Sequence, residues 1–342
     1  MTTAEEVEPR LEQIRLLLGP DKGATDTLIV QLDQLLAASG GTADRLGIVG
    51  ARGPERLASA RFVADFLDDP ERLSARPSWE EDLAVVEWVL RPAVPLEGGR
   101  AAFPEGRWGR LAGQDFSALA ASVCRLDVSR DGGIRTQAGS GFFVTADDGE
   151  PAIVTAAHVI SSVEALGWPR GPIHLLAINA EDPRAGTPTA LEVTGVRQID
   201  LELDVAVVAV VGGVEVAPLV SAPPPAEGAE IVVLGYPYFD SRLDPWARDF
   251  GFREPAGVLR IAPGVSLGAG IRKWRNASIE AFSHDASTLS GSSGSAVFEL
   301  SGPRLVGVHV GGKPQLTSDV NRFEWNLAVP FPVAAPRQVM KR

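Results

Sequence analysis

The chain has 342 residues, of which 45% are hydrophobic and 22% charged, the proportions of a globular protein with room for more than one core. A net charge of -12 argues against nucleic acid as a partner, because phosphate binding relies on clustered Lys and Arg. No run approaches the roughly 20 apolar residues of a membrane span, "MTTAEEVEPR" opens without a basic-then-apolar leader, and one cysteine allows no intrachain disulfide. A cytoplasmic chain is expected, with no membrane contact and no cofactor. No Cys/His cluster has zinc-ligand spacing, so no metal is expected.

Residues 1–98 read as helices. In "AEEVEPRLEQIRLLL" the residues Val7, Leu11, Ile14 and Leu18 recur at helical steps, and "TDTLIVQLDQLLAAS" repeats the pattern before Gly40 and Gly41 stop it. "GPERLASARFVADFLDD" and "SWEEDLAVVEWVL" follow, the latter with Ser78 and Glu81 in capping-box spacing. These segments predict a small bundle without a polar constellation, a regulatory or adaptor domain through which a partner could act. Residues 99–117 lie in a Pro- and Gly-rich stretch and are expected as a linker.

Residues 118–342 change period. Short runs such as "SVCRLDV", "SGFFVTA", "AIVTAAHV", "IHLLAIN", "ALEVTGV" and "DVAVVAVV" are separated by turn formers. Beyond a break near 212–228 come "IVVLGY", "GVLRIA", "ASIEAF", "SAVFEL", "LVGVHVGG" and "FEWNLAVP". About six strands on each side predict a mainly β fold of two packed six-stranded antiparallel barrels. Cys124, within "SVCRLDV", reads as a small buried strand residue and not as a catalytic thiol.

"GSSGSAVF" (residues 291–298) is dense enough in serine and glycine to be a plain loop, and also fits a nucleophile turn. A nucleophilic serine needs a base, and the chain has four histidines. His174 and His284 have undiagnostic neighbours. His158 ends "AIVTAAHV" after two small alanines that let an imidazole face a cleft. The base needs a carboxylate to hold its Nδ1 proton. Asp204 heads the apolar "DVAVVAVV", where an unpaired charge would be costly, whereas Asp200 sits in a polar turn.

The order His158, Asp204, serine on a two-barrel strand pattern resembles the chymotrypsin-like (trypsin-fold) serine proteases. "SGFFVTA", "TAAHV", "DVAVV", "GSSGSAV" and "GVHVGG" match that family's pattern in register over about residues 118–335. The family's Gly-x-Ser-Gly places the nucleophile at Ser293 in Gly291-Ser292-Ser293-Gly294, with the N–H groups of Gly291 and Ser293 as the oxyanion hole. Ser290, Ser292 and Ser295 do not fit that position.

The resemblance implies a serine endopeptidase acting on a protein or peptide substrate, without a metal. Ser292 stands where trypsin carries the aspartate that receives a freed amino terminus, so trypsin-type activation is not expected. The bacterial glutamyl-endopeptidase and HtrA-like branch fits best, without the PDZ domain of HtrA. A histidine before two glycines and a threonine ahead of the nucleophile imply a primary pocket of Thr288, His309, Val310, Gly311 and Gly312. Cleavage after Glu or Asp is one reading and cleavage after small uncharged residues the other. Ser287 offers no acid for a substrate cation. The rival to an enzyme is a pseudoprotease that holds peptide without cutting it.

Overall fold

The computed structural model describes residues 91–103, 107–130, 133, 135–179, 189–212, 219–238, 257–312 and 326–331. The four helices expected before residue 91 lie outside the described residues.

The first unit is a closed barrel of β3 (Val123–Arg130), β4 (Arg135–Thr145), β5 (Pro151–Ala156), β8 (Val205–Val211), β7 (Thr189–Asp200) and β6 (Ile173–Asn179), in that order around the ring. Successive side chains of a strand face opposite ways, and here both faces are covered. Phe143, Ile153, Ala206 and Val208 fill the barrel, where Val159 and Val163 of the helix α2 (Ala157–Glu164) join them. Their neighbours Phe142, Val154, Val205 and Val207 point outward into a cluster shared with Val232, Leu234 and Phe298 of the second unit. This double burial explains why "DVAVVAVV" lacks the alternation of a half-exposed strand.

The second unit is an eight-stranded sheet in which six strands follow the expected six-stranded barrel and two extra strands are added at one edge. Its order is β11 (Ala277–His284), β14 (Asn326–Pro330), β13 (Arg304–Gly311), β12 (Ala296–Glu299), β9 (Glu230–Gly235), β10 (Arg260–Trp274), β1 (Val94–Glu97) and β2 (Arg100–Ala101). The 15-residue β10 pairs with β9 through Arg260–Val265 and with β11 through Ser266–Trp274. A bulge between Ser266 and Ala269 separates the two halves, so the sheet curls back on itself.

The two extra strands come from sequence expected as helical domain and linker. Val94 pairs with Ile261, which places the start of this unit ahead of residue 98. Residues 99–117 are not an open connection either. Phe103, Trp108, Leu111 and Phe116 are buried in the cluster between the units, and Arg110 of a single 3-10 turn (Gly109–Leu111) pairs with Glu230. A short helix, α1 (Ser117–Ala120), then leads into β3. Apolar burial won over the turn-forming composition.

Candidate active site

Three connections meet at the seam between the units. The corner from β5 to α2 carries His158, the turn from β7 to β8 carries Asp204, and the loop from β11 to β12 carries Ser293.

Asp204 is buried, 1% exposed, and has the unusual φ of 57° for a residue with a side chain. Asp200 helps to set that turn, because its Oδ1 accepts the N–H groups of Glu202 and Leu203. Asp200 is therefore a turn cap. The Asp204 carboxylate accepts the His158 backbone N–H at Oδ1 (2.8 Å) and the His158 Nδ1 proton at Oδ2 (2.8 Å). The Ala157 N–H bonds the Asp204 carbonyl (2.9 Å). Backbone and side chain are thus fixed together, and the shared Nδ1 proton leaves Nε2 as the basic nitrogen.

Two further groups reach Asp204 from the second unit. Trp274 Nε1 donates to Oδ2 at 2.9 Å, and the Arg275 guanidinium lies 3.4 Å from the same oxygen. Both sit at the tip of the β10–β11 hairpin, where Trp274 opposes Ala277 across a two-residue turn. The Trp274 ring also underlies β13: a Cβ at Gly311 would fall 2.6 Å from its Cη2. Sequence reasoning missed this hairpin, whose only local signal was Arg275-Asn276 between strand-like flanks.

The Ser293 loop is held peptide by peptide. The Ser290 carbonyl accepts from Tyr238 N–H (2.7 Å), and the Ser292 carbonyl accepts from Ser295 N–H (2.9 Å). In a trans peptide the N–H points away from its own C=O, so these bonds turn the N–H groups of Gly291 and Ser293 the other way. Those two amides have no acceptor among the described residues, whereas Ser292, Gly294 and Ser295 all donate to backbone carbonyls. Two unpaired donors at alternate positions are able to bond one oxygen atom together.

Gly291 (φ 86°) and Gly294 (φ 87°) both need a left-handed backbone, and each is also crowded. A Cβ on Gly291 would meet Gln137, Tyr236 and Tyr238, and one on Gly294 would overlap the Ser140 carbonyl and Thr155 Oγ1. The buried Ser140 ties this loop to β4. Its hydroxyl donates to the Gly291 carbonyl (2.7 Å) and accepts the Tyr236 N–H (2.8 Å), while its own N–H bonds the Ser293 carbonyl (2.9 Å). Sequence reading passed over Ser140 because nothing local distinguishes it from any other strand serine.

Ser293 is half-buried, and its carbonyl and Val159 both lie against Gly139. No hydrogen bond joins Ser293 Oγ to His158 among the described residues; in substrate-free sites such contacts commonly tighten only on binding.

The residues expected to line the pocket are grouped. His309 is buried, its N–H and carbonyl bond Ser295 and Gly294, and its Nδ1 lies 3.2 Å from His284 Nε2. Burial pushes His309 down to about 3, with the nearby His158 opposing its charge, and holds His284 well below its ordinary value. Both rings are therefore neutral. His284 Nδ1 is buried without a partner among the described residues. An orphaned acceptor is less costly than an orphaned donor, which favours His284 donating from Nε2 and leaves His309 a proton on Nε2.

Thr288 donates to Asn326 Oδ1 (2.9 Å), and Asn326 Nδ2 bonds the Ala286 carbonyl (2.6 Å). Asn326 thus braces the threonine, another role that sequence reading missed. The Val310 side chain is buried, so only its backbone can face a substrate. Gly312 packs against Asn326. Away from the cleft, His174 faces Glu192 on the surface, and Cys124 is buried with its thiol pushed far up by desolvation.

Residues 139–308 match the trypsin-like peptidase domain. No curated protein matches the sequence. Among solved structures, the MamO protease domain from Magnetospirillum magneticum is 14% identical, with a TM-score of 0.45, over 63% of this chain and 95% of that one. Deg5 is 22% identical, with a TM-score of 0.44, over 64% and 87%. The Rv3671c protease from M. tuberculosis in its active form is 22% identical, with a TM-score of 0.41, over 63% and 78%.

Proposed function

The chain belongs to the trypsin-like peptidases through residues 139–308 and is a serine endopeptidase, and we propose that it cuts through Ser293, His158 and Asp204, after Glu or Asp. The observation that carries this reading is the pair of unbonded N–H groups at Gly291 and Ser293, in a loop packed beside the His158–Asp204 pair.

In this mechanism Ser293 Oγ attacks the scissile carbonyl while His158 Nε2 takes its proton. Asp204 keeps the other imidazole proton at Nδ1 and stabilises the imidazolium. Charge developing on the carbonyl oxygen is met by two fixed N–H groups that need no reorganisation. His158 passes the proton to the leaving amine, and a water activated by the same nitrogen then hydrolyses the acyl-enzyme. Past Ser295, β13 has lost its β12 neighbour, so Val310–Gly312 can take an extended substrate as an added strand.

The acidic preference rests on the pocket's donors. A carboxylate leaving water must regain hydrogen bonds; His309 Nε2–H supplies one, and the Thr288 hydroxyl supplies a second by turning its proton from Asn326 Oδ1 to the substrate. The buried Asp285 carboxylate is turned onto the Val265 N–H (2.6 Å), and the Ser287 hydroxyl is spent on the Arg91 carbonyl (2.7 Å), so neither position offers a free acid to Arg or Lys. The lone buried cysteine suits a reducing, cytoplasmic setting, and the helical periodicity of residues 1–90 suits a part that brings or restrains one partner protein. A peptide-library profile, with Ser293→Ala as control, tests the reading. Enrichment of Glu and Asp before the cut is expected; dominant cleavage after Arg or Lys would overturn the pocket assignment.

A further inference from the structure

Arg91 is wholly buried, 0% exposed, which is an unusual fate for a guanidinium. Such a charge is costly to desolvate, and a well-packed apolar side chain would serve plain core filling better. Its contacts are specific. Nη1 donates to the Asp285 carbonyl at 2.9 Å, and the Arg91 carbonyl accepts the Ser287 hydroxyl at 2.7 Å. One residue therefore grips the loop at two points, 285 and 287, immediately before Thr288.

The surroundings fit this grip. Gly264 leaves room for the loop, since a Cβ there would fall 2.6 Å from both Asp285 Oδ1 and Ala286 N. Asp285 also bonds Val265 through its backbone N–H and its Oδ1. On the other side, Arg91 is anchored through its chain neighbours: Ala93 is buried, its carbonyl accepts from Arg260 Nη1 (2.8 Å), and Val94 enters the sheet beside Ile261. The segment at residues 91–97 thus acts as a peg driven from the sheet edge to the base of the pocket wall.

We propose that Arg91 is a positioning residue for the primary pocket, holding the loop at residues 285–288 so that Thr288 stands where the substrate side chain enters. This rests on the catalytic and pocket reading above. The oxyanion turn has separate anchors in Ser140 and Tyr238, so loosening the pocket wall leaves Gly291–Ser293 in place. Arg91 therefore acts on reactions that use the pocket and spares those that do not.

The experiment compares the full chain with Arg91→Met, Arg91→Lys and Ser287→Ala in two assays. One is hydrolysis of the best library peptide; the other is the labelling rate of Ser293 by a small fluorophosphonate that leaves the pocket empty. For Arg91→Met, kcat/KM should fall about 10- to 100-fold, mostly through KM, the scale of one lost hydrogen bond from a charged donor. The labelling rate per folded molecule should stay within about threefold, because its anchors are untouched. Lysine should recover part of the loss, and Ser287→Ala, which keeps the buried charge, should raise KM about threefold to tenfold. Equal losses in both assays across the set, or an unchanged KM in Ser287→Ala and Arg91→Met, would overturn the inference. If the wild type itself resists labelling, the catalytic reading falls, and this inference falls with it.

Discussion

Replacing Trp274 with phenylalanine keeps an aromatic ring at the hairpin tip and removes one N–H from the Asp204 carboxylate. That bond is 2.9 Å long and ends on a carboxylate that is 1% exposed, so water cannot readily replace it. A hydrogen bond to a charged group contributes about 1.5–3 kcal/mol, and each 1.36 kcal/mol is tenfold, giving a loss of about 10- to 150-fold. Asp204 keeps the backbone N–H and ring N–H of His158, and Arg275 lies 3.4 Å away, able to close on the vacated oxygen. The expected fall in kcat/KM is therefore near the lower end, about tenfold. Trp274 is half-exposed, and the melting temperature should change little. The assay is steady-state cleavage of the preferred peptide from pH 5 to 9. Unaltered kcat/KM would refute a role for the indole N–H.

Four other outcomes follow from the same contacts. Alanine at Ser293 or His158 should lower turnover by about 10⁶-fold in single-turnover assays, the scale of a broken triad. Gly294→Ala must strain a φ of 87° and displace Ser140, and a shift of about 1 Å at the nucleophile should cost at least about 100-fold in kcat, with binding of a product peptide little changed. Because His309 and His284 stay neutral when folded but take protons near pH 6.5 when unfolded, the unfolded chain binds more protons below that point. Stability should therefore hold above about pH 6.5 and decline as pH falls toward about 3, and denaturant midpoints for wild type and His309→Asn should show a shallower decline in the variant. A chain beginning at Asp115 should aggregate, since it strips Leu96, Phe103, Trp108 and Leu111 from the core, whereas one beginning ahead of Arg91 should stay soluble.

What was legible in the sequence was whatever leaves a local mark. A charge heading an apolar strand pointed to Asp204, and a histidine after two alanines pointed to His158. The strand-rich character of both units showed in runs of Val, Ile and Phe. What stayed hidden acts across long separations. Ser140 reaches residues 236, 291 and 293, Trp274 reaches Asp204, and Arg91 reaches residues 285 and 287; none belongs to a pattern within its own neighbourhood. The sequence of β10 was obscured by Pro263, Gly264, Gly268 and Gly270, which read as breaks. In the fold Gly264 admits the pocket loop and Gly268 (φ 85°) falls within the bulge. The stretch at residues 99–117 misled for the same reason: its glycines and Pro104 masked the aromatic residues that seal the seam.

The central claim is that one serine, Ser293, is made nucleophilic by its surroundings. Mass-spectrometric mapping of a fluorophosphonate adduct on the native protein tests this most directly. A single adduct on Ser293 is expected, absent in Ser293→Ala and formed far more slowly in His158→Ala. A native protein that forms no adduct, or carries it on Ser290, Ser292 or Ser295, would contradict a nucleophilic Ser293.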